Sequence, residues 1–243
     1  INSFLEKLDS FDLNEYIKVI KFDKIKIPTS PITLPKEKKY YGLSGFKKSQ
    51  LDVLKTIVLS KNKGDVFFYS NMPLIEASKD LDFTKKFMVG LAFLLKKGLH
   101  LNMVHNLDRP FKEIMLGLEG WIPLYMTGQI SPYYFKKSNN DIYSHIHCIS
   151  NSCILDGLCI NNNIKSSTFY LSNKKEDINN YLKYSDSLLK IATPLMDIYN
   201  ENKEKEFNKF LDDNINIKTD RRNILFNLPN YVLDNNFLNY ILD

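Results

Sequence analysis

Residues 64–106, GDVFFYSNMPLIEASKDLDFTKKFMVGLAFLLKKGLHLNMVHN, hold a strand, a helix and a second strand, with a boundary signal at each junction. Val66, Phe67, Phe68 and Tyr69 form a short apolar run of β-formers, and Pro73 forbids its continuation as a central strand. Asp82 is the expected N-cap of a helix that begins at Phe83 and repeats Phe83, Phe87, Met88, Leu91, Leu94 and Leu95 at helical spacing. Lys96-Lys97-Gly98 should end it. Val89, Ala92 and Phe93 widen the apolar stripe, which predicts a helix covered on most sides. Leu99, Leu101 and Met103 then recur with the period of a strand. The order predicts adjacent or near-adjacent parallel strands at 65–70 and 99–105, joined by a helix at 83–97 in a right-handed crossover. Ligands in such a sheet gather beyond the carboxyl ends of the strands, here Ser70-Asn71 and His105-Asn106.

The rest of the composition narrows the class. At 243 residues the chain is long enough to bury a sizeable core, and its 44 % hydrophobic and 25 % charged content is that of an ordinary globular protein. Its 33 basic against 28 acidic residues are too evenly balanced to argue for a nucleic-acid surface, so the lysines read as solvated faces. Cys148, Cys153 and Cys159 are an odd number with no signal peptide before them, which predicts reduced thiols and a cytoplasmic location. No apolar run reaches the roughly 20 residues of a membrane helix, so no membrane partner is expected. The chain opens on Ile1 and stops soon after a new apolar segment, which suggests a piece of a longer protein.

Working outward, residues 3–20 have helical spacing, and Pro28, Pro31 and Pro35 make residues 25–35 an extended arm. A helix is expected over 49–61. Beyond the second strand, Asp108 or a neighbour should cap a helix with Pro110 in its first turn and Phe111, Ile114, Met115 and Leu118 facing inward. Two aromatic runs, 121–125 and 130–135, read as a strand or tight turn pair. Further strands are expected at 167–171 and 223–228 and a helix at 176–191, which Pro194 either breaks or continues. Three segments follow: residues 1–63 as helix, arm and helix packing on the core, 64–200 as the α/β core, and 201–243 as a C-terminal extension.

Two places could carry chemistry. A helix N-terminus at a strand's carboxyl end suits a small polar or anionic ligand, and Asn71, His105, Asn106 and Arg109 are the candidate ligand-binding residues. The bland alternative is a helix cap with Arg109 paired to a nearby carboxylate. The second place is SHIHCISNSCILDG, 144–157, where a turn at Asn151-Ser152 makes each position i pair with 303 minus i. His147 then faces Asp156. Period 2 puts His145, His147 and Asp156 on one face and Cys148 and Cys153 on the other, which disfavours a His/Cys metal site. No metal and no cofactor are expected.

The stretch from Leu95-Lys96-Lys97-Gly98-Leu99-His100-Leu101 to Asp156-Gly157, with its strand, helix and His-x-x strand order, resembles half of a phospholipase D-like domain. That resemblance implies an α/β fold with a mixed, partly parallel sheet flanked by helices. In the superfamily a His-x-Lys motif and a following Asp supply the nucleophilic histidine and a phosphate-binding lysine. Here His147 stands where lysine is expected, Asp156 lies farther along, and no second copy is present. A histidine nucleophile without the fixed cation lacks charge stabilisation for a phosphoryl transition state, so a non-catalytic relative is expected. The alternative is a phosphodiesterase or phosphatidyltransferase using His145 or His147 with Asp156. The phrases FDKIKIPTSPITLP, FFYSNMP, KKGLHLNMVHNLDRPF, IMLGLEGWIPLYMTGQISPYYFK and ATPLM are also similar to the C-terminal effector region of clostridial transcription regulators with a Cro/repressor-type helix-turn-helix domain. This implies a ligand-sensing or oligomerisation region, a homodimer, and DNA contact only through a domain outside this segment. A dimerisation region with no ligand is the third reading.

Overall fold

The computed structural model describes residues 37–72, 79–111, 113–114, 117, 121, 124–125, 127–136, 142–199 and 201–215. The expectations for residues 3–20, 25–35 and 223–228 lie outside this set, as do Met115 and Leu118. The chain divides into two units, residues 1–198 and 199–243.

In the first unit the elements are β1 (Glu37–Tyr41), α1 (Gly42–Leu59), β2 (Val66–Ser70), α2 (Leu81–Lys96), β3 (Leu101–His105), β4 (Ile130–Tyr134), β5 (Tyr143–Ile149), β6 (Ile154–Ile160), β7 (Asn163–Ser172), α3 (Lys175–Ile191) and β8 (Thr193–Pro194). Among the described residues the strands form a sheet of eight in the order β1-β7-β6-β5-β2-β3-β4-β8. β2, β3 and β4 are parallel, and every other pairing is antiparallel. The fold is therefore α/β with a mixed, partly parallel sheet flanked by helices. The expected crossover is present, with β2 and β3 adjacent and Ser70 opposite His105.

Period-2 alternation assigns the helices to faces. Val66, Phe68, Leu101, Met103, Ile146, Cys148 and Leu155 point toward a core shared with α1 and α2. Phe67, Tyr69, Val104, Ile149 and Ile154 point the other way, against Ile178, Tyr181, Leu182, Leu188 and Leu189 of α3. α1 and α2 run side by side in the same direction. Near their N-terminal ends Lys47 Nζ lies 2.7 Å from an oxygen of Asp80, and at their C-terminal ends Lys97 Nζ donates to the Ile57 and Ser60 carbonyls at 2.7 Å. Lys97 thus caps α1 across space instead of facing water, and burial lowers its pKa.

Several boundaries differ from the expectation. Asp80, not Asp82, caps α2: its side chain accepts from the Phe83 backbone N–H at 3.0 Å, and Asp82 sits in the first turn. Val89 is 37 % exposed, so α2 is open on one side. α1 begins at Gly42 rather than 49, because Gly42 takes a positive φ of 65° that turns the chain out of β1. Trp121, Leu124 and Tyr125 are helical, so the first aromatic run belongs to the second crossover and only the second run is a strand. Phe111, expected inside, is 54 % exposed. Pro194 neither kinks nor restarts a helix but pairs with Tyr133 in β8, an edge position that needs no N–H from proline.

The hairpin of β5 and β6 has the predicted register, His147 opposite Asp156 and Ile149 opposite Ile154. Asn-Ser is a weak turn sequence, and the Ser150 hydroxyl supports it by accepting from the N–H groups of Ser152 and Cys153, both at 3.2 Å. Gly157 marks a close approach, since a Cβ there would overlap the Phe169 ring and the Ile146 methyl. Gly157→Ala should cost about 1–3 kcal/mol by overpacking. Chemical denaturation checks this, and an unchanged midpoint would show that the layer gives way freely.

In the second unit, a 3-10 turn (Glu201–Lys203) leads into α4 (Glu204–Asn214). Tyr199, Phe207 and Phe210 gather there with centroids 5.4–6.4 Å apart.

Candidate functional site

The carboxyl end of β2 brings both candidate places to one edge of the sheet. Because β5 runs antiparallel to β2, its first residues lie beside Ser70 and Asn71. The Asn71 side-chain oxygen accepts from the His145 N–H at 2.5 Å, and the Asn71 N–H donates to the His145 carbonyl at 3.2 Å. Asn71 therefore extends the pairing as a backbone mimic.

The Arg109 side chain is only 9 % exposed. Its Nη1 donates to the Met72 carbonyl at 2.6 Å and to Glu113 Oε2 at 3.1 Å, and its Nη2 donates to the Ser70 carbonyl at 2.9 Å. The guanidinium ties the carboxyl end of β2 to the helix that begins after Pro110. Glu113, four residues on, was legible as an i,i+4 partner. Asn106 accepts from the Asp108 N–H at 3.0 Å, an Asx turn ahead of that helix.

His105 enters the opposite layer. Its Nε2 is 2.5 Å from the Tyr125 hydroxyl, and its ring meets Trp121 and Tyr125 edge-on at 5.6 and 5.8 Å. Burial, with Arg109 nearby, pushes its pKa down to about 4, so it is neutral at pH 7. Burial also raises the pKa of Tyr125.

His145 and His147 share the face under α3, as period 2 requires. Their rings stack at 5.9 Å, and His147 also stacks on Tyr69 at 6.0 Å and meets Tyr184 of α3 edge-on at 5.4 Å. Asp156 Oδ1 lies 2.8 Å from His147 Nδ1, yet it is not aligned as a hydrogen bond, and buried Nδ1 has no hydrogen-bond partner among the described residues. His147 is 7 % exposed, whereas His145 is half-buried. Burial and then His147 lower the pKa of His145. The hydroxyls of Tyr181 and Tyr184 are raised by burial first and Asp156 second. Among the described residues, aromatic rings and one carboxylate thus gather around His147.

The tyrosines of this wall were not singled out from sequence. Tyr181 and Tyr184 sit three apart on α3, a spacing that marks a shared helical face, but only the sheet register shows what that face covers. Cys148, Cys153 and Cys159 are free and buried in the other layer, apart from the histidines. Among the described residues no cluster of His, Cys, Asp and Glu has the arrangement of a metal site, and no helix is long and apolar enough to cross a membrane.

No family model and no curated protein matches the chain. Among solved structures it is similar to TrmBL2, an archaeal chromatin protein reported with a novel mode of DNA binding, at 9 % identity over 75 % of this chain, with a TM-score of 0.46. The chain spans 60 % of TrmBL2's length. It is also similar to NucT from Helicobacter pylori, at 12 % identity over 66 % of this chain and 99 % of that one, with a TM-score of 0.42. A third similar structure is Nuc from Salmonella typhimurium, a phospholipase D family member, at 13 % identity over 66 % of this chain and 98 % of that one, with a TM-score of 0.41. These likenesses concern the arrangement of strands and helices.

Proposed function

We propose that this chain is a non-catalytic regulatory region of a transcription regulator, an effector or assembly module whose DNA-reading domain is a separate helix-turn-helix unit. The observation that carries the non-catalytic half is that His147, an imidazole walled by Tyr69, His145 and Tyr184, stands where the motif has its lysine. A phosphoryl-transfer nucleophile at His145 needs a fixed cation beside it, and an imidazole is not a permanent one. The regulatory half rests on the resemblance of the long phrases around residues 20–200 to effector regions. Within it, a small anionic ligand near Asn71, His105, Asn106 and Arg109 is the sensing variant, and a ligand-free homodimer is the assembly variant. The occupied donors of Arg109 favour assembly.

Two measurements test this. With bis(p-nitrophenyl) phosphate the purified chain should show no turnover; turnover abolished by His145→Ala or His147→Ala would restore the enzyme reading. Sedimentation should give a dimer. A monomer that no metabolite anion stabilises in a thermal-shift screen would sink both regulatory variants, since a ligand at about 100 times its dissociation constant adds about 2.7 kcal/mol.

A further inference from the structure

Among the described residues, His147 is the least exposed titratable side chain on the α3 face, and it shares that face with a second imidazole. A strand places residues i and i+2 on one side, so His145 and His147 cannot turn away from each other without leaving the sheet's period. Their rings lie 18° from parallel at 5.9 Å. Around the pair, β2 contributes Tyr69, β5 also Tyr143, β6 Asp156, and α3 Tyr181 and Tyr184. Tyr170 of β7 is the register partner of Asp156. Arg109 and Asp108 act on Tyr69, and Asp177 acts on Tyr181. Among the described residues, the carboxylate in ion-pair distance of this pair is that of Asp156, 2.8 Å from His147.

A proton taken up by His145 puts a cation against the His147 ring in a partly closed layer, with Tyr184 packed edge-on over that ring. We propose that His145, His147 and Asp156 form an acid-operated latch on α3. With His145 neutral, the turn carrying Tyr184 stays docked on β5, and when His145 is protonated that turn lifts from the sheet. The lowered pKa of His145 agrees in sign: neutral in the docked state, it resists the proton that undocking allows it to take. The inference does not depend on the regulatory reading, because it concerns the opening of α3 and not what the opening controls.

Hydrogen exchange followed by mass spectrometry on the whole chain tests it. After correction for intrinsic rates, the peptide spanning residues 181–188 should exchange on the order of tenfold faster at pH 5 than at pH 7. His145→Gln, at a half-buried position, should keep the pH 7 protection and abolish the acceleration. His105→Gln, in the opposite layer, should keep the acceleration. Equal protection at the two pH values, acceleration that survives His145→Gln, or acceleration lost with His105→Gln would each overturn the latch. If His145→Gln does not fold, NMR titration of the wild type decides. The His145 imidazole should titrate with the Tyr184 ring shifting in step; a His145 titration that leaves Tyr184 static would refute it.

Discussion

Acidification from pH 7 to pH 4 should cost the fold about 3 kcal/mol through the single imidazole of His105. Its folded pKa is about 4, against an ordinary value of 6.5 in the unfolded chain. Between those values the unfolded state binds a proton that the folded state refuses, so stability falls as pH falls. The contribution is whole above pH 6.5, down by about 2 kcal/mol at pH 5 and by about 3 at pH 4, at roughly 1.4 kcal/mol per pH unit. Urea midpoints across this range give the slope, and His105→Gln should flatten it. His145 contributes with the same sign, as do the lowered carboxyls of Glu37 and Asp80 nearer the acid end, so the comparison with His105→Gln isolates the term. A wild type and variant with parallel pH profiles would show that His105 accepts its proton without leaving the ring pocket.

Arg109→Met should destabilise the protein by about 3–5 kcal/mol, the cost of breaking a buried ion pair from one side. Glu113, 15 % exposed in its side chain, loses the guanidinium at 3.1 Å, and the Ser70 and Met72 carbonyls lose their donor. Glu113→Gln in the same background should recover part of the loss, because the carboxylate facing the lost guanidinium is then neutral while the Ser70 and Met72 carbonyls still lack that donor. A loss under about 1 kcal/mol would place Arg109 with surface pairs and reopen the anion-binding role. Lost stability also distinguishes this substitution from a ligand-site variant, which would melt like the wild type and differ only when ligand is added.

The central crossover and the hairpin register were legible because each depends on local rules. Pro73, Gly98 and a two-residue turn punctuate the chain, and the side-chain period does the rest. Gly98 illustrates this: its φ of +79° ends α2 where Lys-Lys-Gly said it would. What sequence missed depends on distant partners. β1, EKKYY, has no apolar run of its own, and it is a strand because β7 offers an edge. Trp121 to Tyr125 carry the aromatics typical of strands, yet the connection from β3 to β4 needs a crossover, so tertiary demand overrides propensity. The same holds at the candidate site. Arg109, His105 and Asn71 have the chemistry of a ligand site, and nothing in the sequence says that carbonyls, a tyrosine and a backbone amide already occupy them.

The pairing of β1 with β7 bears on how the chain reaches this state. Glu37 sits opposite Ser172 and Tyr41 opposite Thr168, so the first described strand finds its partner more than a hundred residues later. α1 packs on β6 and β7 as well, and during synthesis its apolar face must wait for most of the unit to emerge. Contacts of such high sequence separation slow folding and leave hydrophobic surface exposed in the meantime. A nascent chain stalled before residue 163 would hold β2 to β6 with β1 unpaired and α1 covered by α2 and β6 but not by β7, a natural client for chaperones.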